Sequence, residues 1–284
     1  MSYFKILGLE KEPFSTSPDP DFFYQSPGHK TVITNLVIEL RLRRGMSVIL
    51  GDVGTGKTTL SRKLVQSLRD REGFIFHIIM DPVYESEHLF LSSLVRIFGI
   101  EINVKDASLL DLKEALEHFL FQKGVTENKT VVLIVDEAQK LELNSLEVLR
   151  VLLNYETNEY KLLQLVLLGQ LELYSKIINM ANFIDRVSFK YTLNPLNEDE
   201  TREMIDFRLK QAGYQNMAPL FQDGAIREIY RYTRGYPRQV SLLCHNALKS
   251  VVMQNKLVVD EQMVREIINQ ETRNGWAAPA AVKR

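Results

Sequence analysis

The chain has 284 residues, 45% of them hydrophobic and 25% charged, with a formal net charge of −1, which predicts one large or two smaller globular domains with a sizeable core. Near-neutral charge excludes a global basic field for recruiting nucleic acid or anionic lipid. A lone cysteine, Cys244, excludes an intrachain disulfide framework, the five histidines lack zinc-ligand spacing, and no apolar run reaches the roughly 18 residues of a membrane helix. Met1 to Lys11 lacks a secretory apolar region. Together these predict a cytoplasmic protein without direct membrane insertion.

Residues 1–27 are turn-rich, broken by Pro13, Pro18, Pro20 and Pro27. Phe14, Phe22, Phe23 and Tyr24 make this too aromatic for a free linker. It is expected as a strap packed on the core, with Tyr24 near an adenine ring as the sharper alternative. Residues 28–44 read as a helix closed by Arg41, Arg43 and Arg44, either a solvated helix end or a phosphate-facing patch.

Met46 to Leu50 is an apolar run that reads as a buried strand. Gly51-Asp52-Val53-Gly54-Thr55-Gly56-Lys57-Thr58 follows, matching G-x-x-x-x-G-K-[ST] at every fixed position. A helical pattern with Leu60, Leu64 and Leu68 on one face comes next. Strand, glycine loop and helix form the context that makes the pattern a P-loop. Its glycines let backbone N–H groups wrap a triphosphate, and the new helix N-terminus favours negative charge. Lys57 then suits the β- and γ-phosphates, and the Thr58 hydroxyl suits Mg²⁺. The nucleotide-binding stretch runs on to Thr59.

Phe74 to Met80 is a second strand candidate, in which His77 reads as a hydrogen-bonded core residue rather than a ligand. Helical periods follow at 86–98 and 108–123. Thr130 to Val135 is an apolar run ending in Asp136-Glu137-Ala138-Gln139, the Walker B pattern. There Asp136 serves the metal shell and Glu137 polarises the attacking water as general base. Residues 143–157 read as a helix. Leu162 to Leu168 reads as a strand whose tip carries Gln170, placed either to meet the γ-phosphate or to cap the next helix. Residues 171–180 read as helical and Val187 to Leu193 as the last strand. Strands interleaved with helices predict an α/β domain over 28–195 with a parallel sheet.

Beyond Pro195 the pattern turns all-helical, at 197–213, 219–233, 237–254 and 260–271, with only a short strand candidate at Leu257 to Val259. Asn197-Glu198-Asp199-Glu200 is a strong helix start. A helical lid domain is expected over 196–271 and a disordered tail over 272–284. Residues 196–270 carry ten basic and ten acidic residues, so this part has no basic excess for DNA.

P-loop, Walker B, polar strand tip and helical lid stand in the order of an AAA+ ATPase. Tyr3-Phe4, Gly8-Leu9, Pro13-Phe14, Pro18-Asp19-Pro20 and Phe23-Tyr24 resemble the opening of the ExeA/GspA-type secretion ATPases. Asp136 to Gln139, Asn154 to Thr157 and Leu168-Gly169-Gln170 continue the resemblance over roughly residues 1–270. That branch is similar to transposition ATPases of the MuB/TnsC kind. The resemblance implies Mg²⁺ and ATP, a ring or filament of identical subunits, and a protein client in a secretion, pilus or envelope-polymer machine. It implies Arg186 as an arginine finger acting on a neighbouring subunit, although Ala181 to Asp185 and Leu171 depart from the family pattern. In Gly235-Tyr236-Pro237-Arg238 it implies Arg238 as the lid's phosphate contact. Cell-wall anchoring does not carry over, because the chain ends before the region where ExeA continues into a membrane span. Two rival functions are a transposition or replication regulator that assembles on duplex DNA, and a slow nucleotide-gated interaction module.

Overall fold

The computed structural model describes residues 2–69, 73–216 and 218–274; of the expected tail, residues 275–284 lie outside them. In chain order the elements are α1 Tyr3–Ile6, α2 Pro27–Arg41, β1 Met46–Gly51, α3 Lys57–Arg69, β2 Phe74–Ile79, α4 Glu87–Ile97, α5 Leu109–Phe121, β3 Thr130–Val135, α6 Leu143–Leu152, β4 Leu163–Gly169, α7 Leu171–Ile178, α8 Ala181–Ile184, β5 Val187–Leu193, α9 Glu198–Gln211, α10 Asp223–Thr233, α11 Pro237–Met253 and α12 Glu261–Arg273. The described residues divide into two compact units. An α/β unit takes them from Pro27–Val53 and Leu60–Leu193, and a mainly helical unit from Met1–Ser26, Gly54–Thr59 and Asn194–Arg284.

The α/β unit is built on a five-stranded sheet in the order β2-β3-β4-β1-β5, parallel throughout. The central strands β3, β4 and β1 are buried along their whole length. Helices cover both faces of a parallel sheet, so such strands read as nearly continuous apolar runs. Val131, Leu133 and Val135 share one core with Phe90 and Leu94 of α4 and with Leu146 and Leu149 of α6. At the sheet edge, β5 alternates half-buried and exposed residues, and Lys190 is among the exposed ones. A charge there discourages pairing with another chain.

Several boundaries differ from the sequence reading; the helix expected over 219–233, for one, begins at Asp223. The helix after residue 28 ends at Arg41, because Arg43 takes a left-handed φ of 51°. Its guanidinium then reaches back across the fold, donating to Thr130 Oγ1 at 3.0 Å, Gly124 O at 3.3 Å and Asn128 O at 3.0 Å, 4.4 Å over the Tyr160 ring. Arg43 is therefore a brace within the unit, not part of a phosphate-facing patch. The helix expected over 143–157 ends at Leu152, and the chain turns back through a bridge between Glu156 and Lys161. The strand expected at Leu257–Val259 is a single parallel bridge from Val259 to Phe221.

In the helical unit, α9 begins where the sequence indicated. Asn197 Oδ1 accepts the Glu200 N–H at 2.8 Å, and the Glu200 carboxylate accepts the Asn197 N–H at 2.9 Å, satisfying two orphan donors of the first turn. Residues of the N-terminal strap pack into this unit. Leu9, Phe14 and Phe22 are buried with Ile205, Leu209, Val240 and Cys244, and Phe14 meets Phe221 edge-on at 5.8 Å. Arg208 pins the strap by donating to Ser15 O at 3.0 Å and to Ser241 Oγ. Its guanidinium is held down to about 10 by burial. Tyr24 is also engaged in this unit: its hydroxyl donates to Glu203 Oε2 at 2.5 Å, beside Phe207.

Candidate nucleotide site

All five strands run the same way, so their C-terminal ends share one edge of the sheet. Leu50 of β1 pairs with Gly169 of β4, and Leu167 of β4 pairs with Val135 of β3. Three segments therefore leave that edge side by side: Gly51-Asp52-Val53, Gly169-Gln170 and Asp136-Glu137. Open α/β folds bind ligands in the crevice at this edge.

The two carboxylates at the end of β3 are held differently. Asp136 is 1% exposed. Its N–H donates to Ile79 O at 2.8 Å, and its Oδ1 accepts the Glu137 N–H at 2.9 Å. Glu137 turns the chain with a left-handed φ of 51°, and it is half-exposed. The tight turn over Ala138–Lys140 follows. There the Gln139 amide donates to Glu137 Oε2 at 2.7 Å while its Oε1 accepts the Gln170 N–H at 3.0 Å. Lys176 of α7 donates to the carbonyls of Gln139 and Leu141, at 2.7 and 3.0 Å. Gly169 allows this approach, since a Cβ there would stand 3.3 Å from the Gln139 N and 2.7 Å from Leu173 Cδ2. Gln170 sits at the strand tip, and its side chain makes no cap bond to α7.

In the helical unit the P-loop residues Gly54–Thr59 lie against α11. Gly54 has φ +85° and Gly56 φ +99°, conformations open to glycine at little cost. The Arg238 N–H donates to Gly54 O at 3.3 Å, and a Cβ on Gly54 would meet Arg238 Cβ at 3.1 Å. Thr55 and Lys57 are buried, and Lys57 opens α3, so Thr58 and Thr59 fall in its first turn. Gly235, with φ +75°, fixes the approach to α11: its carbonyl accepts the Leu196 N–H at 2.9 Å.

The structure thus brings Arg238 to the P-loop glycine, and Gln170 beside the start of the P-loop and the Walker B pair. Arg186 is elsewhere. It precedes β5, whose Val187 pairs with Met46 at the start of β1, about 17 Å from the end that carries Gly51 at ~3.3 Å per residue. Its guanidinium donates to Asn154 Oδ1 and Asn182 O. Gln139 had no individual role in the sequence reading. The available signal was an amide two residues beyond the Walker B glutamate, where a tight turn returns it to that carboxylate.

A parallel sheet with P-loop and Walker B at one edge, joined in the chain to a helical unit, defines a P-loop ATPase of the AAA+ class. Comparisons agree. The family model described as an AAA domain matches residues 40–177. General secretion pathway protein A of Aeromonas hydrophila is 36% identical over 248 residues, covering 87% of this chain and 44% of that protein. The chain belongs to the AAA+ ATPases of the ExeA/GspA type, and it spans less than half the length of that relative. Among solved structures, Cdc6p from Pyrobaculum aerophilum matches with a TM-score of 0.71 at 18% identity, covering 91% of this chain and 70% of that one. The Aeropyrum pernix ORC2 protein matches with a TM-score of 0.64 at 17% identity, covering 92% and 72%. The Thermotoga maritima RuvB Holliday junction branch migration motor matches with a TM-score of 0.61 at 15% identity, covering 91% and 76%. At these identities the likeness is one of fold. Among the described residues no helix is long and apolar enough to cross a membrane.

Proposed function

We propose that this chain binds Mg·ATP and hydrolyses it, using the exchange of ATP for ADP to assemble and remodel an oligomer of itself. The observation that carries the reading is the shared sheet edge where β1 runs into the P-loop, β4 into Gln170 and β3 into Asp136-Glu137. The hydroxyl of Thr58 and the carboxylate of Asp136 are hard oxygen donors, the set that suits Mg²⁺. The metal, when bound, would offset charge developing on the transferred phosphoryl group.

In this reading the backbone from Gly51 to Gly56 cradles the phosphates, Lys57 neutralises the β- and γ-phosphates, and Thr59 extends the loop's anion-binding turn. Glu137 takes the proton of the attacking water. Gln170 orients the water or the γ-phosphate, and Arg238 contacts phosphate. Arg186, at the opposite sheet edge from its own Gly51, is suited to a neighbouring subunit's nucleotide rather than its own. The likeness to General secretion pathway protein A supports work on the cytoplasmic side of a secretion, pilus or envelope-polymer machine.

The test combines ATP turnover and light scattering with and without Mg·ATP. Wild type is expected to release phosphate, Lys57→Ala to lose ATP binding, and Glu137→Gln to bind ATP, turn over at least ~100-fold more slowly and accumulate as a larger species. Turnover unchanged by Glu137→Gln overturns the catalytic assignment. A Glu137→Gln protein that stays monomeric with ATP bound overturns the trans role of Arg186. Growth of the assembly only on duplex DNA would favour the transposition-type function.

A further inference from the structure

We infer that Gln139 is a positioning residue for hydrolysis: its side-chain amide ties the Glu137 carboxylate to the tip of β4, so the general base is aimed only while that strand tip is in register. The inference rests on the proposed role of Glu137. Its observations concern Gln139 itself. One end of a single amide group donates to Glu137 Oε2 at 2.7 Å, and the other accepts the backbone N–H of Gln170 at 3.0 Å. The amide's direction follows from its partners, because the carboxylate accepts and the backbone N–H donates.

The amide is held on its backbone side as well. Lys176 donates to the Gln139 carbonyl at 2.7 Å and to that of Leu141 at 3.0 Å. These bonds fasten the turn over Ala138–Lys140 to α7. Closeness of the Gly169 and Gln139 backbones leaves the turn no room to shift toward β4. Glu137 needs such a tether because its own backbone does not hold its side chain. Its N–H is taken by Asp136 Oδ1, and it sits in a left-handed turn rather than in the strand.

Two consequences follow. The bond to Oε2 leaves Oε1 for the proton of a water, so the tether is compatible with general-base work. Gln170 also bonds to Gln139 through its main chain, so displacement of the β4 tip moves the base whatever the Gln170 side chain does. Misplacing a catalytic group by about 1 Å costs up to ~100-fold in rate.

The experiment is steady-state ATP hydrolysis by the full chain as wild type, Gln139→Met, Glu137→Gln and the double variant. Methionine keeps length and volume but loses both polar ends. Gln139→Met is expected to lower kcat by at least about tenfold while KM for ATP and the binding of a fluorescent ATP analogue stay within about twofold. In the Glu137→Gln background the same change is expected to add nothing, because Gln139 acts through Glu137. Gln139→Glu, which sets a like charge against Glu137, is expected to fall further than Gln139→Met. If Glu137→Gln is slow as read but Gln139→Met keeps the wild-type kcat, or lowers kcat equally in both backgrounds, the tether is refuted and the proposed function stands. If Glu137→Gln itself keeps wild-type turnover, the failure lies with the catalytic reading. Should Gln139→Met unfold, Lys176→Met tests the same tether from α7, with the same split between kcat and KM expected and an unchanged kcat refuting it.

Discussion

Replacing Gly235 with alanine strikes the approach to Arg238 without touching any group that would meet nucleotide. A methyl group at that position would fall 1.8 Å from Leu196 O and 2.8 Å from its carbonyl carbon, and backbone atoms cannot rotate away as a side chain can. The residue also holds φ +75°, which costs a non-glycine residue about 1–2 kcal/mol. Relief requires moving the chain at Leu196, which breaks the 2.9 Å bond from the Leu196 N–H to the Gly235 carbonyl, worth ~1 kcal/mol. Overpacking adds about 1–3 kcal/mol. The total of about 3–6 kcal/mol corresponds, at ~2–4 °C per kcal/mol for proteins of more than about 150 residues, to a fall in Tm of more than about 6 °C. Calorimetry or circular dichroism of the full chain reads this directly, and ATP affinity is expected to weaken in parallel as α11 shifts. The control is Arg234→Gly: Arg234 sits next door with φ 52°, and glycine there is expected to leave Tm unchanged or raise it. A Gly235→Ala protein melting within about 4 °C of wild type would refute the reasoning.

Two further outcomes concern the two units separately. His77 on β2 lies 4.5 Å from the Phe98 ring and also faces Phe119, and burial lowers its pKa below the usual 6.5. An unfolded chain then binds a proton more readily, so the stability that His77 contributes is full above ~pH 6.5 and is lost as pH falls from there toward the folded value. Thermal melts from pH 7.5 to 5 are expected to fall less steeply for His77→Phe than for wild type, and parallel curves would contradict this. Arg208→Met keeps the buried stem over the strap but leaves Ser15 O without its donor, at a cost of about 1–3 kcal/mol. Limited proteolysis is expected to cut the N-terminal segment faster in this variant, and equal cutting rates would show that the strap is held by Phe14 and Phe22 alone.

Local chemistry was written plainly in the chain. The P-loop depends on glycines and a lysine at fixed spacing, and β3 and β4 are mostly apolar runs because helices cover both faces of their sheet. Asn197 and Glu200 announced the start of α9 because a capping box is closed within four residues. In each case the deciding interactions lie within one loop, one strand or one turn. Tertiary structure decided the rest. Arg43 looked like a helix end, and only the return of residues 124–130 and Tyr160 makes it a brace. The strap's rings gave no sign of which apolar surface they would enter, since burial is non-directional and any groove of the right size would serve. Gln139 was legible as a letter of the Walker B stretch, but its bond to Gln170 joins residues 31 positions apart, and the parallel register of β3 with β4 brings them together. Arg186 shares one chain with the P-loop, but the common direction of β1 and β5 sets it at the far edge of the sheet. Only strand direction and pairing, which no local pattern encodes, could decide that.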